Sequence, residues 1–356
     1  MAFPYQRMRR LRRTPVLRRL VAETRLSVDD LVAPLFVREG LSGKERVPIA
    51  TLPGQYQHSI GSLVAEAQQL IELGIPALML FGVVEQTRKD EIGSAAFDPD
   101  AIVQRAIKEL RESYGDEIII MADLCLDEYT EHGHCGVLGS ANSLHYQRKM
   151  LRGSHMFDDA RLDSEVDNDA TIELYKKIAL AQADAGADVV APSGMMDGQV
   201  GAIRSALDEA SYFEKIILSY SAKYASTLYG PFRDAVEVSL GANNDRRSYQ
   251  QDPANRRESL LEVELDISEG ADIVMIKPAI TCLDVIRDIR LASEVPLAAY
   301  QVSGEYAMIK AAGQAGLLDE EDAMLEQLIA IKRAGADFIV TYFASDAARI
   351  LNRSCR

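Results

Sequence analysis

No apolar run in the chain approaches the roughly 18 residues that cross a membrane. No apolar stretch of the kind found in a secretory leader follows the basic N-terminus, so a reducing cytoplasmic setting is expected. Cysteine is scarce: four in 356 residues make no disulfide framework. No G-x-G-x-x-G follows the first strand-like run, which argues against a dinucleotide-binding open sheet. Residues 1–22 lack acids altogether and carry seven arginines, at positions 7, 9, 10, 12, 13, 18 and 19. That leaves 32 of the 39 basic residues against all 54 acidic ones, a net −22 on the remainder. An acidic body disfavours nucleic acid as a partner. The basic segment reads either as a solvated tail or as an arm that docks on a neighbouring subunit. Leu11, Val16, Leu17, Leu20 and Val21 within it need something to bury against.

What is present is a repeated unit: an amphipathic helix, a glycine turn, then a β-branched apolar run. Residues 175–185 lead through Gly186 into Val189 and Val190, 261–269 through Gly270 into 273–276, and 324–334 through Gly335 into 338–341. The stretch 63–73, Gly74, 75–81 is a looser copy. Glycine ends a helix cheaply because it tolerates positive φ. The apolar runs read as parallel strands covered on both faces. Eight such runs are expected near 34–37, 75–82, 117–122, 188–192, 216–222, 273–277, 296–302 and 338–342. Further helices are expected over 102–114, 205–213, 283–289 and 308–315. Eight parallel strands with intervening helices predict a (β/α)8 TIM barrel spanning 31–356, preceded by an N-terminal arm over 1–30.

Polar residues stand where those strands end: Asp123, Lys223, Lys277, Ser303 and Tyr342. The C-terminal rim is where barrel active sites form. A lysine at the end of a buried strand must be paired or lose its proton, and two neighbouring ammonium groups disfavour each other's charge. A neutral lysine amine attacks carbonyls to form a Schiff base. The alternative is two unrelated structural lysines, each paired with an acid.

The densest segment is Asp123-Leu124-Cys125-Leu126-Asp127-Glu128-Tyr129-Thr130-Glu131-His132-Gly133-His134-Cys135-Gly136. Two thiolates and a carboxylate, from Cys125, Asp127 and Cys135, can hold a divalent metal with one position open. Thiolates favour Zn²⁺, while the carboxylate keeps Mg²⁺ in play. His132 and His134 are either further ligands or groups that orient the loop. The other reading is a glycine-rich loop with buried free thiols. Cys282 and Cys355 have no motif around them. Tyr229-Gly230-Pro231-Phe232-Arg233-Asp234 and the polar stretch 241–250 read as a lid, with Arg233 and Arg246 able to grip a carboxylate.

These motifs together resemble the porphobilinogen synthase (delta-aminolevulinic acid dehydratase) family over nearly the whole chain. They extend through Pro192-Ser193-Gly194-Met195-Met196-Asp197-Gly198, Met275-Ile276-Lys277-Pro278 and Val302-Ser303-Gly304-Glu305-Tyr306. The resemblance implies condensation of two 5-aminolevulinate molecules into porphobilinogen with loss of two waters, in a barrel that assembles as a homo-octamer through its arm. It implies a Schiff base at Lys277, with Ser303 and Tyr342 on that molecule's carboxylate. It implies a second at Lys223, with Arg233, Arg246 and Gln250 on the other carboxylate. Asp123 and Ser193 would lie near the amine and carbonyl. An allosteric Mg²⁺ at Glu262, near Arg12 of the arm, would follow from the bacterial members.

Two departures stand out. The zinc-type pattern has three cysteines where this chain has Cys125, Asp127 and Cys135. Gly194 replaces the usual aspartate of a Ser-Asp-Met-Met motif. The rival readings are a class I aldolase, which needs one reactive lysine, and a non-catalytic barrel scaffold.

Overall fold

The computed structural model describes residues 3–139, 165–240 and 245–354. Residues 241–244 of the expected lid and Cys355 lie outside these. Ten strands are present among the described residues: β1 (Leu31–Arg38), β2 (Arg46–Pro48), β3 (Tyr56–His58), β4 (Ala77–Val83), β5 (Ile119–Leu124), β6 (Val189–Pro192), β7 (Ile216–Lys223), β8 (Ile273–Lys277), β9 (Leu297–Gln301) and β10 (Phe338–Thr341). Eight of them, β1 and β4–β10, pair in parallel in chain order. The sheet closes where Leu31 and Val32 of β1 meet Ile339 and Val340 of β10. This is the eight-stranded parallel barrel that the apolar runs predict. Its strands are buried on both faces, as β4 is from Ala77 to Val83, because the barrel core lies on one side and the helical layer on the other.

The glycine turns form as expected. The helices Asn168–Ala185 and Arg257–Glu269 end at Gly186 and Gly270, with φ of 104° and 107°. A side chain there would be strained. The helix expected over 205–213 instead runs Gln199–Glu209. Its buried stripe is Val200, Ile203, Ala206 and Leu207, so the helical period starts six residues earlier, and the chain breaks at Ser211 with φ +66°. The antiparallel pair β2–β3 was not legible as strands. It hangs on the outer end of β1, with Phe36 beside Gln57 and Val37 beside His58, beyond the reach of β10.

The arm before β1 holds one α-helix, Pro15–Leu20, capped by Thr14. Its apolar side chains find little cover in one chain: Val16 is 63% exposed and Leu20 74%. No helix among the described residues is long and apolar enough to cross a membrane.

Candidate active site at the strand ends

Lys223 ends β7 and Lys277 ends β8, and the two are register partners. An extra residue in β7, between Ser219 and Ala222, shifts the register so that Lys223 stands opposite Lys277. Both lysines line one cavity, together with Asp123, Asp127, Glu128, Ser193, Arg233, Arg246, Tyr229, Phe232 and Phe81. Its free volume is about 10 Å³, hardly room for one water. The site is therefore closed around its own side chains.

The two amines have unlike surroundings. Lys277 Nζ lies 4.4 Å from the ring centre of Tyr300, 5.1 Å from Tyr220, and 5.2 Å from Tyr229 and Phe232. Burial, then the charge of Lys223, pushes its pKa down to about 7. Lys223 donates to the Ser193 carbonyl. Burial also opposes its charge, but Cys135, Cys125 and Asp127 outweigh that and hold its pKa above the usual lysine value. Lys277 is thus the amine nearer neutrality, while the donors beside Lys223 favour its charged form. Asp123 accepts from Ser193 Oγ at 3.1 Å through Oδ2, and its carboxyl also faces the Tyr220 hydroxyl. Burial raises its pKa to about 6 against the pull of Lys223 and Lys277.

Cys125, Asp127 and Cys135 are fully buried side by side, each offering a ligand atom within 4.8 Å of the others. Two soft donors and one hard donor at this spacing fit a tetrahedral divalent cation. Asp127 is also held by Arg246, 2.8 Å away in a pair whose side chains are both 5% exposed. Arg246 and Lys223 overcome burial and keep the Asp127 carboxyl well below the usual range. The histidines stay outside this donor set. His134 pairs with Tyr249 Oη at 3.2 Å, and His132 Nδ1 accepts from the His134 amide at 3.1 Å, so they orient the loop.

The structure also gives a reason for Gly194. A Cβ there would lie 1.8 Å from Tyr175 Oη. The fully buried Tyr175 donates to the Cys135 carbonyl at 2.5 Å and lies 3.9 Å from Cys125 Sγ. A tyrosine from the helix Asn168–Ala185 occupies the space that an aspartate side chain at 194 would need.

Of the remaining expected residues, Gln250, Ser303, Tyr342 and Glu262 lie outside the lysine cavity, while Arg233 and Arg246 line it and also reach beyond it. Arg233, Arg246 and Gln250 line an outer vestibule of about 700 Å³. Buried Arg233 Nε, Arg246 Nε and Gln250 Nε2 have no partner among the described residues. Ser303 and Tyr342 stand one layer behind: Ser303 Oγ accepts from the Phe232 amide at 3.0 Å and donates to the Leu228 carbonyl, and Tyr342 Oη accepts from Tyr300 Oη at 3.3 Å. Glu262 lies apart, in a groove with Asp197 and Glu258. Burial and its acidic neighbours, Asp266 first among them, raise its pKa to about 7. Arg12 forms no ion pair with it among the described residues. Sequence reasoning missed Glu128, Tyr175 and the rings around Lys277. Only Glu128 carried a signal, as a second acid following Asp127.

A family model described as delta-aminolevulinic acid dehydratase matches residues 5–350. The chain belongs to the delta-aminolevulinic acid dehydratase family. It is 52% identical over 350 residues to the dehydratase of Streptomyces coelicolor, covering 98% of each chain. It is 51% identical over 347 residues to that of Mycobacterium tuberculosis, again covering 98% of each. A solved dehydratase from Toxoplasma gondii, in complex with the reaction product porphobilinogen, superposes with a TM-score of 0.89 at 40% identity, covering 98% of this chain and 92% of that one. Membership in the dehydratase family removes the aldolase and scaffold readings.

Proposed function

We propose that the chain carries out its porphobilinogen synthase activity in the cavity between Lys223 and Lys277, joining two 5-aminolevulinate molecules with release of two waters. The observation that carries this is the pair of buried lysines at neighbouring strand ends, one of them close to neutrality. The neutral Lys277 amine adds to the keto carbon of one molecule. Loss of water leaves an iminium, which makes the adjacent C–H acidic. Lys223 first passes its proton to Asp123 and then adds to the second keto carbon, with loss of the second water. The enamine carbon formed at one lysine attacks the iminium carbon at the other, and amine transfer with elimination closes the ring. Asp123, held by Ser193, stands beside both amines to accept and return protons.

Arg233, Arg246 and Gln250 offer unpartnered donors to one carboxylate. Ser303, bonded to the amide of the same Phe232 whose ring faces Lys277, receives the other together with Tyr342. Cys125, Asp127 and Cys135 would hold a divalent cation, which supplies Lewis acidity beside the second keto group. Two thiolates favour Zn²⁺ there over Mg²⁺, and Glu262 would take an allosteric Mg²⁺. The exposed apolar side chains of residues 1–30 fit an arm that packs on a neighbour in a cytoplasmic homo-octamer.

The test is incubation with 5-aminolevulinate, a colour assay for the pyrrole, and borohydride trapping with peptide mapping. Pyrrole formation with label on Lys277, and on Lys223 at higher substrate, is expected. Label on neither lysine would overturn the assignment.

A further inference from the structure

The substrate of the proposed reaction is bipolar. Its carboxylate lies at one end, and its ammonium group sits on the carbon next to the keto carbon. Once the keto carbon is joined to a lysine, that ammonium group must lie beside the lysine nitrogen. The site is bipolar too. Of the residues lining the inner cavity, Arg233 and Arg246 also line the outer vestibule. Asp123, Asp127 and Glu128 line the inner cavity alone. Of the charged groups lining the inner cavity besides the lysines, the arginines therefore reach the entrance, and the acids stay with the lysines.

The three acids are not equivalent. Asp127 is held by Arg246. Asp123 is held by Ser193 through one oxygen. Glu128 is 2% exposed and shares a hydrogen bond with the Asp127 side chain, while its Oε2 is buried with no partner among the described residues. It offers a ligand atom within 4.8 Å of those of Asp123 and Cys125, so it points into the donor-rich centre. A buried carboxyl oxygen without a donor is costly, and a substrate ammonium group would remove that cost. We propose that Glu128 is the specificity-determining residue that accepts the substrate's ammonium group, with Asp123 as second acceptor. A keto acid lacking the amine would leave Glu128 unpaired. A site built to bind an N–H group discriminates strongly against an analogue without one.

This rests on the reaction assigned above, and wild-type protein that makes no pyrrole would break that assignment first. In active protein, Glu128→Gln should raise the KM for 5-aminolevulinate about 10- to 100-fold. The inhibition constant of levulinate, the same keto acid without the amine, should stay unchanged, because levulinate makes no contact with Glu128. Glu128→Asp keeps the carboxyl group at shorter reach and should fall between wild type and the glutamine variant. It also serves if Glu128→Gln does not fold. A parallel shift for both ligands, or no shift for either, would overturn the proposal. So would a loss of Zn²⁺ affinity by calorimetry that accounts for the change in KM, since Glu128 would then act through Asp127.

Discussion

The surroundings of Lys277 and Lys223 differ more than their positions do. The two lysines are register partners on adjacent strands, equally buried, at the same end of the barrel. One amine is enclosed by four aromatic rings. The other faces the Cys125, Asp127 and Cys135 donors, and Arg246 closes that side. Aromatic faces compensate only in part for a charge that has lost its water, whereas acidic neighbours compensate more fully. One residue type at one level of one barrel thus yields a ready nucleophile and a protonated partner. The division of labour lies in the walls rather than in the lysines.

The harshest way to break this comparison is to remove each amine in turn. Lys277→Ala should lower turnover by roughly 10⁴-fold or more and abolish borohydride trapping at low substrate. Lys223→Ala should also stop pyrrole formation, yet still permit trapping at Lys277. Equal loss of trapping in both variants would erase the distinction.

A gentler probe is pH. Only the neutral amine attacks a carbonyl, and the Lys277 pKa is pushed down to about 7. Between pH 5 and 7, trapping of levulinate at Lys277 should rise about tenfold per unit and then level off. Trapping that keeps rising steadily beyond pH 9 would show that Lys277 holds its proton as Lys223 does.

The smallest expected effect sharpens the Lys223 side alone. Tyr175→Phe removes the hydroxyl that lies against Cys125 and Cys135. Zn²⁺ affinity by calorimetry should fall about 10- to 100-fold, while levulinate trapping at Lys277 should stay as in wild type. A Cys125→Ala, Cys135→Ala double variant should lose the Zn²⁺ event entirely and keep any Mg²⁺ event. Zn²⁺ binding that persists in the double variant would remove the thiols as ligands.

The barrel was legible because its signals are local. Each helix, glycine turn and β-branched run lies within about 20 residues, and the period of each run states its burial. The donor set of Cys125, Asp127 and Cys135 was legible for the same reason, since eleven residues span it. What stayed hidden joins distant segments. The rings around Lys277 come from β7, β9 and the 229–232 turn. Gly194 was visible only as a departure, since nothing near it in sequence names Tyr175. The position of Ser303 and Tyr342 behind Phe232 and Tyr300 depends on how loops pack over the mouth, which periodicity does not encode. The helix misplaced at 205–213 shows the limit of the local signal, because its apolar stripe had been started too late.

Strand alternation carries a phase, and β7 changes phase within its own length. Ser219 Oγ bonds Asp266 on the helix outside the barrel, at 2.7 Å. Counting by twos from Ser219 would put Ser221 and Lys223 on that same outer side. Ser221 obeys, since it too bonds Asp266. Lys223 does not: the additional residue before Ala222 reverses the alternation and delivers its amine to the lumen. Without that irregularity Ala222 would stand opposite Lys277, and the second amine would point into the helical layer. The lumenal address of Lys277 follows from a regular strand, whereas that of Lys223 is a property of a single misfit in the ladder.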